Sequence, residues 1–416
     1  MKRKYAFAGA SSRALGMYCL PMLNDYPNDC EIVGVYDINP GRAWKFSADS
    51  GNFPVYEDFE TMIRETRPDR VIVTTVDAYH SDYIIKSLEM GCDVITEKPM
   101  TIDASRCRAI LDAEKRTGHK VIVTFNYRYA PFMTKIRELI ADGAIGDVYS
   151  VHFEWLLTRN MDYGAHGKSY FHRWNARMAK SGGLLVHKST HHFDMINWFI
   201  GQRPAKVSAF GELRLYGPQN YPFGEPESQR PVRCSTCVHA DECEFCHKLT
   251  DAERDYYVAF EKYDGYMKDN CIYASDIDIY DTMAVTVKYD KGALLSYSLN
   301  ATTPYEGWHC VINGSKGRLE ATNYETGVLS KAPENHIRIF DLDDNITDYA
   351  MTKSSGGHGG GDQRLLKMLF LDNVPDPLHH AAGSIDGAYS IIIGAAANIS
   401  IREGIVVDVE ELLGNK

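Results

Sequence analysis

Two stretches concentrate the residue types that move protons. Glu97-Lys98-Pro99 follows the apolar run Asp93-Val-Ile-Thr, and Gly182-Gly-Leu-Leu-Val-His187-Lys-Ser-Thr-His191-His192-Phe-Asp194 spaces two histidines four apart, with a carboxylate three further on. A lysine at the end of a buried strand can bond a substrate hydroxyl and take its proton, because burial lowers an ammonium pKa toward neutrality. A solvated ion pair is the plainer alternative for Lys98. Drawn on one helix, His187, His191 and Asp194 project from one side, and a carboxylate beside an imidazole orients it and makes it a better proton acceptor. Acid–base work is preferred here to a metal pair or core histidines, since no Glu-x-x-His pattern completes a metal site.

A third stretch reads Ala8-Gly9-Ala10-Ser11-Ser12-Arg13-Ala14-Leu15-Gly16. Against the dinucleotide fingerprint G-x-G-x-x-G, Gly9 fits the first position, with Ser11 at the second and Ala14 at the third. Such a turn lets backbone approach a pyrophosphate at the positive end of the next helix. Asp37, in Val35-Tyr36-Asp37-Ile38-Asn39-Pro40, stands near the offset expected of a carboxylate that accepts from a ribose hydroxyl. An acid there repels a 2'-phosphate, which favours NAD over NADP. A strand-turn-helix with a solvated Asp is the alternative.

Cys234, Cys237, Cys243 and Cys246 form C-x2-C-x5-C-x2-C, beside His239 and His247. Two such knuckles can complete a tetrahedral zinc site, and a polar excursion needs something to hold it. Structural zinc is therefore expected, with an iron–sulfur cluster, disulfides or free thiols as alternatives. Trp155, Arg159, Tyr170, His172, Arg173 and Trp174 supply aromatic faces and Arg forks that suit sugar rings, or else ordinary packing.

These residues need elements to position them. Tyr5–Ala8, Glu31–Tyr36, Val71–Thr75, Asp93–Thr96 and Lys120–Phe125 are apolar runs too continuous for a half-wet sheet, so parallel strands covered on both faces are expected. Helical stretches around Ala14–Leu23, Phe59–Glu65, Tyr79–Met90 and Ala104–Arg116 alternate with them, which predicts a doubly wound Rossmann domain over 1–125. Beyond it, 126–416 reads as an α+β domain with a large, mainly antiparallel open sheet. Hairpin turns are expected at Asp290-Lys291-Gly292 and Asn313-Gly314, helices near Phe132–Ala141, Thr190–Ile200, Gln363–Leu371 and Ser384–Ile401, and a Cys-rich insertion at about 216–276. Ser189 or Thr190 is placed to cap the helix carrying His191.

The 416 residues, 44% hydrophobic and 24% charged, exclude a disordered or coiled-coil chain. A net charge of -11 repels polyanions, so neither nucleic acid nor an anionic membrane is an expected partner. No apolar run approaches the ~18 residues of a membrane helix. The basic start Met1-Lys-Arg-Lys imitates a signal peptide, but its apolar run breaks at Ser11, Ser12 and Arg13, so a cytoplasmic location is expected.

Glu97-Lys98-Pro99, Asn126-Tyr-Arg128-Tyr-Ala-Pro131, the Gly-Gly…His191-x-x-Asp194 block, Gly314-Ser-Lys-Gly-Arg-Leu-Glu320 and His358-Gly-Gly-Gly-Asp362, in this order, resemble the Gfo/Idh/MocA family of dehydrogenases. The resemblance covers most of the chain, with the 216–276 excursion outside it. It implies NAD(P)-linked chemistry on a sugar or polyol, and a homodimer or homotetramer formed through the open sheet. It implies a catalytic pair, Lys98 and His191, both facing the nicotinamide, with His187 tuning the relay. The cofactor would lie along Gly9, Ser11, Ser12, Arg13, Asp37, Thr75, His80, Glu97, Lys98 and Asn126. Substrate would meet Arg128, Trp155, Arg173, Trp174, His187, Asp194 and His358. The family usually has Asp where this chain has His187 and Gly where it has Ser189, a departure that bears on the relay and the substrate subclass. Two other readings stay open: a glycosidase that recycles bound NAD through transient oxidation and elimination, and a nucleotide-bound sensor without turnover.

Overall fold

In the computed structural model, which describes residues 2–160 and 166–414, the first sheet is built from β1 (Arg3–Ala8), β2 (Cys30–Tyr36), β3 (Val55–Tyr56), β4 (Arg70–Val73), β5 (Asp93–Thr96) and β6 (Val121–Val123). The order is β3-β2-β1-β4-β5-β6, and all of these pair in parallel. Side chains on both faces are buried, as the unbroken apolar runs require. The two-residue β3 and the helix Pro40–Ala48 lie outside the expected elements. That helix starts where Asn39 accepts from the Arg42 N–H and Pro40 fills the first helical position.

The second sheet holds β7 (Val148–Thr158), β8 (Pro204–Glu212), β9 (Thr282–Tyr289), β10 (Leu294–Thr303), β11 (Gly307–Gly314), β12 (Gly317–Tyr324), β13 (Glu334–Asp341) and β14 (Ile346–Thr352). It is antiparallel except at its centre, where β7 and β10 run parallel. The turn before β10 falls where expected. The next hairpin does not: Gly314 pairs with Gly317, so Ser315 and Lys316 make the turn.

The tail returns to pack on the first domain. The helix Gly357–Phe370 lays Leu365, Leu366, Leu369 and Phe370 against Tyr5, Phe7 and Tyr26 of the first domain, with Tyr5 and Phe370 edge-on at 5.5 Å. Next, β15 (Ala382–Gly383) adds an antiparallel edge strand to β6. The helix Ser384–Glu403 is long and apolar enough to cross a membrane, although Asp386, Asn398 and its serines keep its apolar residues from forming one unbroken run. Here it packs inside the protein, against β8 and the helices Leu184–His187 and Thr190–Ile200. A last pair, β16 (Val407–Asp408), joins β8.

Because Ile392 of that central helix is fully buried, Ile392→Ala should lower the unfolding free energy by about 2–5 kcal/mol. Denaturant titration of the two proteins measures the difference.

Candidate active site

Gly9, Asp37, Thr74, Glu97 and Thr124 all lie at the C-terminal ends of parallel strands, the edge where open α/β sheets take ligands. Gly9 has φ +103, and a Cβ there would stand 2.8–2.9 Å from the backbone of Thr74 and Thr75. Only glycine fits, and the turn it makes leads into the helical turns Ala14–Cys19. Asp37 accepts from the Ala10 and Asn39 N–H groups at 2.7 Å each, with the Arg42 guanidinium 3.7 Å away. Burial pushes the Asp37 carboxyl up despite the opposing pull of Arg42. This glycine cradle and strand-end carboxylate fit a dinucleotide.

At the same edge Glu97 accepts from Arg13 Nε at 2.6 Å and the Tyr18 hydroxyl at 2.7 Å. Burial alone would raise its carboxyl, but Arg13 and Lys98 outweigh this and hold it below the ordinary range. Lys98, whose peptide bond to Pro99 is cis, donates from Nζ to the His187 carbonyl at 3.4 Å. Burial, then repulsion from Lys188, pushes its ammonium down to about 7, although Glu97 and Asp77 pull the other way.

Behind Lys98, His187 Nδ1 shares a 2.5 Å hydrogen bond with Asp77 Oδ2, and its Nε2 meets the Asn175 amide at 3.2 Å. Burial drives the Asp77 carboxyl up and the His187 imidazole down. His191 is buried, and neither ring nitrogen has a hydrogen-bond partner among the described residues. Its ring lies 4.9 Å from Tyr127 and 5.6 Å from His358. Burial and the nearby Lys98 charge drive its pKa well down, so it stands as a neutral ring with free nitrogens. Buried polar atoms are rarely left so, and these are available to a ligand.

Three groups of expectations need correction. The histidine block is not one continuous helix: Leu184–His187 ends at Lys188, and Thr190–Ile200 starts afresh. Neither expected cap forms, because Ser189 Oγ accepts from the Tyr297 hydroxyl and Thr190 Oγ1 bonds Ser390. Asp194 orients no histidine. It takes both arms of Arg128 at 2.6 and 2.7 Å, and with side chains 3% and 1% exposed the pair is a structural brace and not a substrate contact.

The other expected residues divide in the same way. His80 lies between the Pro99 and Thr75 carbonyls, at 2.8 and 3.0 Å, and since burial lowers its pKa the neutral ring can donate to one of them. Trp155 is buried in the second sheet. Asn126 Nδ2 reaches His358 at 2.8 Å and Asp362 at 2.6 Å, bringing the tail's glycine cluster to the site. Trp174 stands 5.5 Å from the His187 ring, while Arg173 donates to the Ser169 carbonyl and covers Tyr170.

Sequence reasoning missed Lys188, although it lies within the quoted block. It is buried, with Nζ 5.0 Å above the Trp155 ring. Burial alone would lower its pKa, but Tyr170, Glu306 and Glu325 hold it above the ordinary lysine value. A lysine one residue after a candidate histidine was the available signal. Asp77 carried none, since its partner is 110 residues away.

The zinc expectation finds no support. Cys234, Cys237, Cys243 and Cys246 are free thiols around a small apolar cavity shared with Cys271 and His172. Among the described residues no group of His, Cys, Asp or Glu stands ready to hold a metal ion. Burial pushes the Cys234 thiol up to about 12. Nor is the excursion without a core: Tyr216, Phe245, Leu249, Tyr256, Ile272 and Tyr273 are buried, and Arg233 ties Glu261 at 2.9 Å to Asp269 at 2.6 Å.

Residues 3–125 match the model of an oxidoreductase family's NAD-binding Rossmann fold, and residues 137–409 match the C-terminal alpha/beta domain of the Gfo/Idh/MocA oxidoreductases. The chain is 40% identical over 432 residues to the putative oxidoreductase YteT of Bacillus subtilis (strain 168), covering 99% of this chain and 98% of that one. It is 30% identical over 200 residues to D-glucoside 3-dehydrogenase of Escherichia coli (strain K12), 48% of this chain and 55% of that one. The WlbA dehydrogenase from Bordetella pertussis, solved with NADH and UDP-GlcNAcA, superposes with a TM-score of 0.65 at 17% identity over 98% of this chain and 99% of that one. An oxidoreductase domain protein from Kribbella flavida gives 0.69 at 17% identity, covering 98% and 100%. At such identity these two structures speak for the fold alone.

Removing one partner of a buried ion pair leaves the other charge uncompensated, at about 3–5 kcal/mol. Asp194→Ala should therefore unfold at clearly lower denaturant than the parent. Its NADH affinity, measured by titration below the transition, should change little.

Proposed function

The chain belongs to the Gfo/Idh/MocA oxidoreductases, NAD(P)-dependent enzymes acting on CH–OH groups, and from that premise we propose that it oxidises a secondary alcohol of a sugar, glycoside or cyclic polyol. Its cofactor on this reading is NAD, because Asp37 at the β2 edge suits a ribose 2'-hydroxyl and repels a phosphate. The observation that carries the reading is a buried His191 whose nitrogens lack partners among the described residues, near enough to Lys98 for that charge to lower its pKa, with Lys98 itself pushed down to about 7. Bound NAD supplies the hydride acceptor.

The chain's own residues then handle the proton. Lys98, as the neutral amine, accepts it from the substrate hydroxyl, and His191 bonds the same oxygen and fixes its direction. His187, backed by Asp77, holds the Lys98 ammonium through its carbonyl and sets the rear wall. Lys188 keeps its charge and favours build-up of negative charge on the substrate oxygen. Inositol and glucoside dehydrogenases among the relatives support a polyhydroxylated ring as substrate. The exposed Tyr149, Phe210 and Leu294 on the second sheet support the expected homo-oligomer.

Incubating the protein with sugars, glycosides and inositols plus NAD, while following NADH and released sugar together, tests the reaction class. NADH without released sugar supports the dehydrogenase, and sugar release without NADH transfers the assignment to the recycling glycosidase. Lys98→Ala and His191→Ala should each lower kcat/KM by about 10²–10⁴-fold. The double variant should lose little more, because groups acting as one unit are non-additive. Oxidation should rise with pH through about 7, where the Lys98 ammonium gives up its proton, and Lys98→Ala should lack that limb.

A further inference from the structure

The Cys-rich insertion folds back over the cofactor edge of the first domain. Its helix Asp251–Tyr256 brings the Tyr256 hydroxyl to the Ala10 carbonyl at 3.0 Å, a donor on the glycine turn itself. The Tyr257 hydroxyl lies 2.6 Å from Ser12 Oγ and accepts from the Ser12 N–H at 3.4 Å. A phosphate oxygen would seek that same N–H at the start of this helix. Further along, the Asn39 amide donates to the Phe260 carbonyl at 2.9 Å, and Lys45 pairs with Asp255 at 2.8 Å.

Asp264 of the insertion pairs with Arg42, the cation that also neighbours Asp37. Arg42 sits 5.9 Å from the Tyr266 ring, and its buried Nη1 has no partner among the described residues. An arginine beside the strand-end carboxylate is what accommodates a 2'-phosphate in NADP-binding folds. Here a second carboxylate already occupies it.

We propose that the insertion is the second wall of the dinucleotide site, holding NAD as a slowly exchanging cofactor through Tyr257 and excluding NADP by tying Arg42 to Asp264. The proposal rests on the reading of this edge as the NAD site. On loading, the Tyr257 hydroxyl turns from the Ser12 N–H to donate to the phosphate. The insertion thereby acts on exchange and on nucleotide choice, without entering the Lys98–His191 site.

The test uses NADH and NADPH on the full-length chain. NADH release is followed by its fluorescence during a chase with excess NAD. A hydrogen bond to a charged group is worth about 1.5–3 kcal/mol, so Tyr257→Phe should speed release about tenfold or more. Asp264→Asn should raise the ratio of NADPH to NADH affinity by about tenfold, a readout that loosened packing alone would not move. Melting curves establish that each variant is folded, and Tyr257→Phe, which loses a single oxygen, serves if Asp264→Asn does not fold. Unchanged release and an unchanged ratio in folded variants would overturn the proposal, as would slower release, which would make the insertion a plug. A parent protein that binds no NADH would instead sink the dehydrogenase reading itself.

Discussion

Two lysines share one buried junction, and most of the site follows from keeping only one of them charged. Lys188 lies among Tyr170, Glu306 and Glu325, which outweigh its burial and hold its proton. Lys98 meets that retained charge as repulsion, added to its own burial, and is pushed toward neutrality. Environments that drive two like groups apart create an acid–base pair from ordinary residues. The arrangement needs both domains: Lys98 comes from the end of β5, and Lys188 from the break between Leu184–His187 and Thr190–Ile200. Asp77 on His187 then ties the two sides of the junction together, and Arg13 holds Glu97 beside Lys98.

Much of this was legible along the chain. Apolar runs over β1, β2, β4, β5 and β6 read as covered parallel strands because burial on both faces removes alternation, and Gly9 and Asp37 fall at their ends. The histidine block was legible as residues but not as geometry. Helical spacing put His187, His191 and Asp194 on one face, yet spacing carries no information about a break at Lys188. Asp194 next to histidines suggested a local partner, but the bidentate fit of Arg128 is stronger than a contact to a neutral ring and captured it. The reading of the cysteines rests on their spacing and on the polarity of the excursion. It undercounted Phe245, Leu249, Ile272 and Tyr273, which give the excursion an apolar core of its own.

Where the excursion goes could not be read locally, because Ser12 and Tyr257 are 245 residues apart. One trace of that docking is nevertheless written into the first domain. Gly41 occupies the first turn of Pro40–Ala48, although glycine is a poor helix former. Nothing in the local sequence accounts for it. A Cβ at Gly41 would stand 2.3 Å from Phe260 and 2.8 Å from Tyr263, so any other residue would hold the insertion off the helix that carries Arg42. Backing it away would lengthen the Asn39–Phe260 and Arg42–Asp264 contacts together, since all three lie on the same turn. The local weakness of a helical glycine is thus the condition for closing the second wall, and the identity of residue 41 is set by residues more than two hundred positions later.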